Sequence, residues 1–69
     1  MQLNGGALRI IRERSGHTKA SLAKAAGVHP TLITRLENGE RNGTAPVMRA
    51  LADALDCPLH ALMGPERAA

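Results

Sequence analysis

The sequence predicts an all-α domain of five short helices, and three observations carry that prediction. No Phe, Tyr or Trp occurs in the 69 residues. The core must therefore come from Leu, Ile, Val, Met and Ala, a palette that suits close helix packing and fits strands poorly. Glycines at positions 16, 27, 39 and 43 fall between segments whose apolar residues recur at helical spacing, and Gly is the usual residue just past a helix C-terminus. Residues suited to helix starts, Thr18, Pro30, Thr44 and Pro58, stand at the head of the later segments.

The first helix is expected over residues 4–14, with Ala7, Leu8 and Ile11 turned inward and Gly16 ending it. The second covers 18–26, with Thr18 as N-cap, Leu22, Ala23 and Ala26 as its buried stripe, and Gly27 closing it. The third runs 30–38. Pro30 fits the first helical position, where its missing N–H is harmless, and Ile33 and Leu36 point inward before Gly39. After a polar loop, the fourth helix covers 45–55. Thr44 is its N-cap, Pro46 lies in its first turn, and Met48, Leu51, Ala52 and Leu55 face in. The fifth, 58–63, starts at Pro58, packs Leu59 and Leu62, and stops at Gly64-Pro65. The whole reads as one domain, 1–69, with residues 65–69 expected to be a disordered tail and with no repeat or linker.

Composition excludes several classes. A domain near this size buries only about 60% of the surface of its unfolded chain, too little to frame a deep substrate cleft. Missing aromatics argue against single-strand nucleic-acid binding, which relies on stacking. One cysteine, Cys57, leaves no internal disulfide. No apolar run is long enough to span a bilayer and the N-terminus lacks a signal-peptide pattern, so the expected location is cytoplasmic, nucleoid-associated when DNA is bound. The formal charge is +3, and its distribution is uneven. Residues 1–45 carry seven basic against three acidic side chains; residues 46–69 carry two against three. Positive charge gathered in one part of a small domain fits a phosphate-binding face; an ordinary solvated surface with a basic bias fits the charge equally well.

The informative stretch is 18–38. Two short helices are separated only by Gly27-Val28-His29, with Val28 anchoring the turn and small Ala23 allowing close approach. Such a unit is a helix-turn-helix, whose second helix lies in the DNA major groove. Ile33 and Leu36 would fix that helix on the core and leave His29, Thr31, Leu32, Thr34 and Arg35 facing out. Leu8, Arg12, Gly16, Leu22-Ala23, Ala26-Gly27-Val28, Ile33, Arg35-Leu36-Glu37-Asn38-Gly39 and Asn42, followed by Thr44, Leu51-Ala52, Ala54-Leu55, Leu59 and Leu62, stand in an ordered set. That set resembles the phage repressor and Cro type of helix-turn-helix domain (XRE-like regulators) over about residues 7–63, and implies the five-helix lambda-repressor-like fold.

The resemblance implies roles residue by residue. Lys19, where such domains often carry Gln, and His29, Pro30, Thr31, Leu32 and Arg35 correspond to base-reading or groove-facing positions. Arg35 is the only long donor on that face, and Arg reads guanine O6 and N7 bidentately. Thr18, Thr34, Asn38, Arg41 and Asn42 correspond to phosphate contacts. Arg12 and Glu37 look like an internal ion pair between the first and third helices. Ala45, Pro46, Pro58, Leu59 and Ala61 correspond to a homodimer interface. The implied protein is a dimeric transcriptional regulator, a repressor by type, reading a palindromic site in double-stranded DNA without a cofactor. Three positions depart from the pattern: Pro30 removes an N–H and a side chain used for bases elsewhere, Gly43 replaces a frequent Pro and loosens that loop, and Asp56 stands where Gly usually closes the fourth helix.

The same fold can serve as a protein-interaction module, its partner a toxin or an anti-repressor, with DNA contact secondary. His17, His29, His60 and Cys57 lack the close spacing of a zinc site, and Cys57 reads as a buried small hydrophobe more readily than as a redox sensor. His29 suits a neutral contact or a cap; a gained proton against phosphate would instead strengthen binding at mildly acidic pH. Arg9 reads as a solvated helix charge and Arg14 stays open between that and a phosphate contact. Ser15 and Ser21 show no base–acid set, so no enzyme activity is expected.

Overall fold

The computed structural model describes residues 3–63. Four α-helices follow one another: α1 (Gly5–Arg14), α2 (Lys19–Ala26), α3 (Pro30–Glu37) and α4 (Ala45–Leu55). Each starts on a side chain that accepts a backbone N–H, which satisfies one of the unpaired donors of a helix start. Asn4 Oδ1 takes Ala7 N–H at 3.1 Å, Thr18 Oγ1 takes Ser21 N–H at 3.0 Å, His29 Nδ1 takes Thr31 N–H at 3.1 Å, and Thr44 Oγ1 takes Val47 N–H at 3.4 Å.

The expected fifth α-helix is instead a single 3-10 turn, Leu59–Leu62. Pro58 stands outside it as the cap, and Ala61 N–H reaches Pro58 O at 3.0 Å, three residues back. Four residues are too few to repay the nucleation of an α-helix, and the tighter i→i+3 pattern serves in such short pieces. The third helix also ends one residue early, with Asn38 as its C-cap. The expected stop at Gly64-Pro65 and the tail 65–69 lie outside the described residues.

Leu8, Leu22, Ile33, Leu36, Met48, Leu51 and Leu62 are fully buried, with Leu3, Ala23, Ala52 and Leu55 beside them. α2 lies against both α3 and α4, α1 against α3, and the 3-10 turn closes on α4 and α1. The two ends of the described chain meet. Leu3 and Met63 form an isolated antiparallel bridge, and Asn4 N–H donates to Leu62 O at 2.8 Å.

Gly16, Gly27, Gly39 and Asp56 stand in the left-handed region, each just past a helix. Gly27 closes α2 at φ 73° and opens the turn into α3. Asp56 closes α4 at φ 54°, the only non-glycine at positive φ among the described residues; its short polar side chain tolerates that conformation. Gly43 and Gly5 matter for a different reason. A Cβ on Gly43 would sit 2.9 Å from Met48 Cγ, and one on Gly5 would collide with the backbone oxygens of Leu36 and Glu37. The missing side chains let the loop approach α4 and let the start of α1 meet the end of α3.

Candidate nucleic-acid interface

The α2–turn–α3 unit is held from three sides. Val28 is half-buried against the core and its N–H donates to Ala23 O at 2.9 Å. Ile33 and Leu36, three apart on α3, are fully buried. At the far end of α3, Glu37 forms a two-pronged ion pair with Arg12 of α1. Arg12 Nε donates to Glu37 Oε2 at 2.6 Å and Nη2 to Oε1 at 3.3 Å, while Nη1 donates to His17 O at 3.0 Å. Both side chains are nearly out of solvent, at 10% and 4% exposure. A fork-to-fork pair of this kind fixes direction as well as distance. The hydrogen bond to Glu37 pushes the Arg12 pKa above its ordinary value, against burial, which acts the other way.

The start of α2 carries a reciprocal cap. Thr18 Oγ1 accepts from Ser21 N–H, and Ser21 Oγ accepts from Thr18 N–H at 2.9 Å. His17 Nδ1 lies 2.9 Å from the same Ser21 oxygen. This pairing absorbs Ser21 into helix capping. Thr18, expected at phosphate, therefore has its hydroxyl oxygen engaged in the cap, though the residue is exposed.

Opposite the buried face, the structure exposes Lys19 at the head of α2, and His29, Pro30, Thr31 and Arg35 along α3. Thr31 and Arg35 are four apart and share a helix face. Leu32, expected to face out, is half-buried and packed against the core. It lies beside Ile33 at the edge of the apolar stripe, so only part of its side chain is open to a partner. Thr34 is likewise half-buried, its hydroxyl 3.5 Å from Pro30 O. Asn38, Arg41 and Asn42 are exposed just past α3. Among the described residues, Lys19, Lys24, Arg35 and Arg41 take part in no ion pair. Arg9 pairs with Glu13 at 3.3 Å along the surface of α1.

Of the residues expected at a dimer contact, Ala45, Pro46 and Pro58 are exposed and Ala61 is half-buried. Leu59 is half-buried and packs against the domain's own core, so it offers only part of its surface outward. No three His, Cys, Asp or Glu side chains come together as a metal-holding group among the described residues. None of the described helices is long and apolar enough to cross a membrane.

Sequence reasoning missed two contributors to this arrangement. Leu3 and Gly5 seat the start of α1 against the end of α3. A lone Leu before a helix carries no periodic signal, and a glycine that permits close approach looks like any other.

A short capped helix, a three-residue turn and a second helix with one buried and one polar face define a helix-turn-helix domain. The helix-turn-helix domain family matches residues 5–63, and the chain belongs to it. It is similar to the uncharacterized HTH-type transcriptional regulator YazB of Bacillus subtilis, 30% identical over 63 residues, which span 91% of each chain. Among solved structures it resembles the restriction-modification controller protein C.AhdI from Aeromonas hydrophila, with TM-score 0.83 and 30% identity over 86% of this chain and 89% of that one. It also resembles the P22 c2 repressor, crystallised with a synthetic operator, with TM-score 0.85 and 29% identity over 96% of this chain and 100% of the repressor.

Proposed function

We propose that the protein is a sequence-specific double-stranded DNA-binding regulator of transcription, of repressor type, that lays α3 in the major groove. The observation that carries this reading is the polar face of α3. His29, Thr31 and Arg35 are exposed there with no ion-pair partner, on a helix braced by Ile33, Leu36 and the Arg12–Glu37 fork. A rigid helix presenting a few free polar groups suits base reading, since misplacement of a hydrogen-bonding group forfeits specificity. The similarity to a repressor bound to operator DNA supports the same reading.

In this reading Arg35 is the principal base reader and Thr31 its neighbour, with Lys19, His29, Pro30 and the open part of Leu32 completing the groove face. Thr18, Thr34, Asn38, Arg41 and Asn42 face the phosphates. Two copies pair through Ala45, Pro46, Pro58, Leu59 and Ala61, which sets the recognition helices about 34 Å apart, one turn of duplex, as a palindromic site requires. The protein works in the cytoplasm at the nucleoid, needs no cofactor, and is no enzyme.

The experiment is duplex binding measured against salt. A protein meeting several phosphates per subunit gives log K falling linearly with log salt. Arg41→Ala should weaken binding to every duplex and lower that slope by about one. Flat or absent duplex binding overturns the reading and favours a protein partner instead.

A further inference from the structure

We propose that His29 donates its Nε2–H to a guanine N7 in the major groove, and that the cap of α3 selects the ring tautomer that makes this possible. The inference rests on α3 being the DNA-reading helix and assigns a base to one of its residues.

His29 is an unusual N-cap. The residues favoured there are Ser, Thr, Asp, Asn and Gly, yet here the imidazole Nδ1 accepts Thr31 N–H at 3.1 Å. A ring nitrogen accepts only when it carries no proton, and a neutral imidazole then carries its proton on the other nitrogen. The cap therefore fixes Nδ1 as acceptor and Nε2 as donor. An imidazolium, with both nitrogens protonated, would lose the cap. His29 is exposed, and Nε2 has no partner among the described residues.

Towards the duplex, then, His29 offers one donor and no acceptor. Beside it, Pro30 has neither an N–H nor a polar side chain, so His29 and Thr31 supply the polar groups at the start of α3. A lone donor is refused by the cytosine amino group, meets one acceptor at adenine N7 or thymine O4, and fits best where two acceptors adjoin. In the major groove that edge is guanine, with O6 and N7 side by side. A phosphate oxygen would also accept from Nε2–H, and the test separates the two.

The probe is a duplex selected from a random pool by the wild-type chain, compared with His29→Ser. Serine keeps a capping oxygen but is too short to reach a base. At one guanine in each half-site, 7-deazaguanine should weaken wild-type binding about five- to tenfold, the worth of one neutral hydrogen bond, and leave His29→Ser unaffected. Uncharged methylphosphonate at the flanking phosphates should weaken both proteins equally. In the free wild-type protein, ring nitrogen NMR shifts should place the proton of His29 on Nε2, a readout independent of how the variant folds. The proposal is overturned by a proton on Nδ1, by 7-deazaguanine penalties unchanged in His29→Ser at every guanine, or by a methylphosphonate penalty that disappears in His29→Ser. Wild-type protein that binds no duplex would sink the DNA reading itself; wild type that binds a selected operator with penalties indifferent to His29 sinks only this assignment.

Discussion

Removing Glu37 is the sharpest perturbation of the scaffold beneath α3. Glu37→Ala leaves the Arg12 guanidinium 10% exposed with one hydrogen bond, to His17 O at 3.0 Å, and a distant carboxylate, Glu13 Oε2 at 3.9 Å on the surface. Orphaning one member of a buried pair costs about 3–5 kcal/mol; the surviving bond to His17 places the expected loss near the lower figure. A domain of this length has a stability of roughly 3–10 kcal/mol at about 0.05–0.15 kcal/mol per residue, so the variant forfeits a large share of it. With about 4–8 °C lost per kcal/mol in a domain this small, the midpoint should fall by at least about 12 °C. The assay is thermal and urea unfolding followed by circular dichroism. Replacing both partners, Arg12→Met with Glu37→Leu, removes the orphan and should recover most of the loss, to within about 1 kcal/mol of wild type. A single variant within 1 kcal/mol of wild type, or a double variant as unstable as the single one, would refute the reasoning about this pair.

Three further outcomes follow from the same geometry. Gly5→Ala and Gly6→Ala should differ in sign in urea unfolding: Ala at Gly6 meets only Asn4 Oδ1 at 3.4 Å and should stabilise by up to about 1 kcal/mol, while Ala at Gly5 runs into the backbone of Leu36 and Glu37 and should destabilise. Gly27→Ala has open space around the new Cβ but a φ of 73°, so its expected cost of about 1–2 kcal/mol is purely conformational; an unchanged urea midpoint would contradict it. Burial, and after it the Asp56 carboxylate, push the Cys57 thiol up from its ordinary value. The thiolate is therefore scarcer at any given pH, and disulfide reagents at pH 8 should label the folded protein more slowly than the unfolded chain, with Asp56→Asn faster than wild type.

The order of elements was legible because their ends are chemically marked. Thr18, Thr44 and Pro30 stand at helix starts, Gly27 closes α2, and Asp56 takes the left-handed place at the end of α4. The buried stripe of Leu8, Leu22, Ile33, Leu36, Met48, Leu51 and Leu62 follows helical spacing and was readable for that reason. What escaped reading depends on pairs distant in sequence or on unusual chemistry. The Leu3–Met63 bridge joins the two ends of the described chain, and nothing local announces it. The cap of α2 uses Ser21 where a capping box normally shows Glu or Gln, whereas the histidine cap of α3 is one of the two roles the sequence offers His29. The fifth helix had the right apolar spacing at Leu59 and Leu62, but periodicity does not register that four residues favour a 3-10 turn. Leu32 shows the resolution of a helical wheel: one position from the buried Ile33, it sits at the edge of the stripe, half in and half out.

The groove-facing role of α3 is tested most directly by selecting duplexes from a random pool with the wild-type chain and with Arg35→Ala. The expected result for wild type is a palindromic site with half-sites about one helical turn apart. Arg35→Ala should lose its preference for guanine at one position in each half-site, a discrimination of about 1–3 kcal/mol, and keep the rest of the motif. A pool in which wild type enriches no sequence, or in which the two proteins enrich the same motif with the same preference at every position, would contradict the assignment of base reading to this helix.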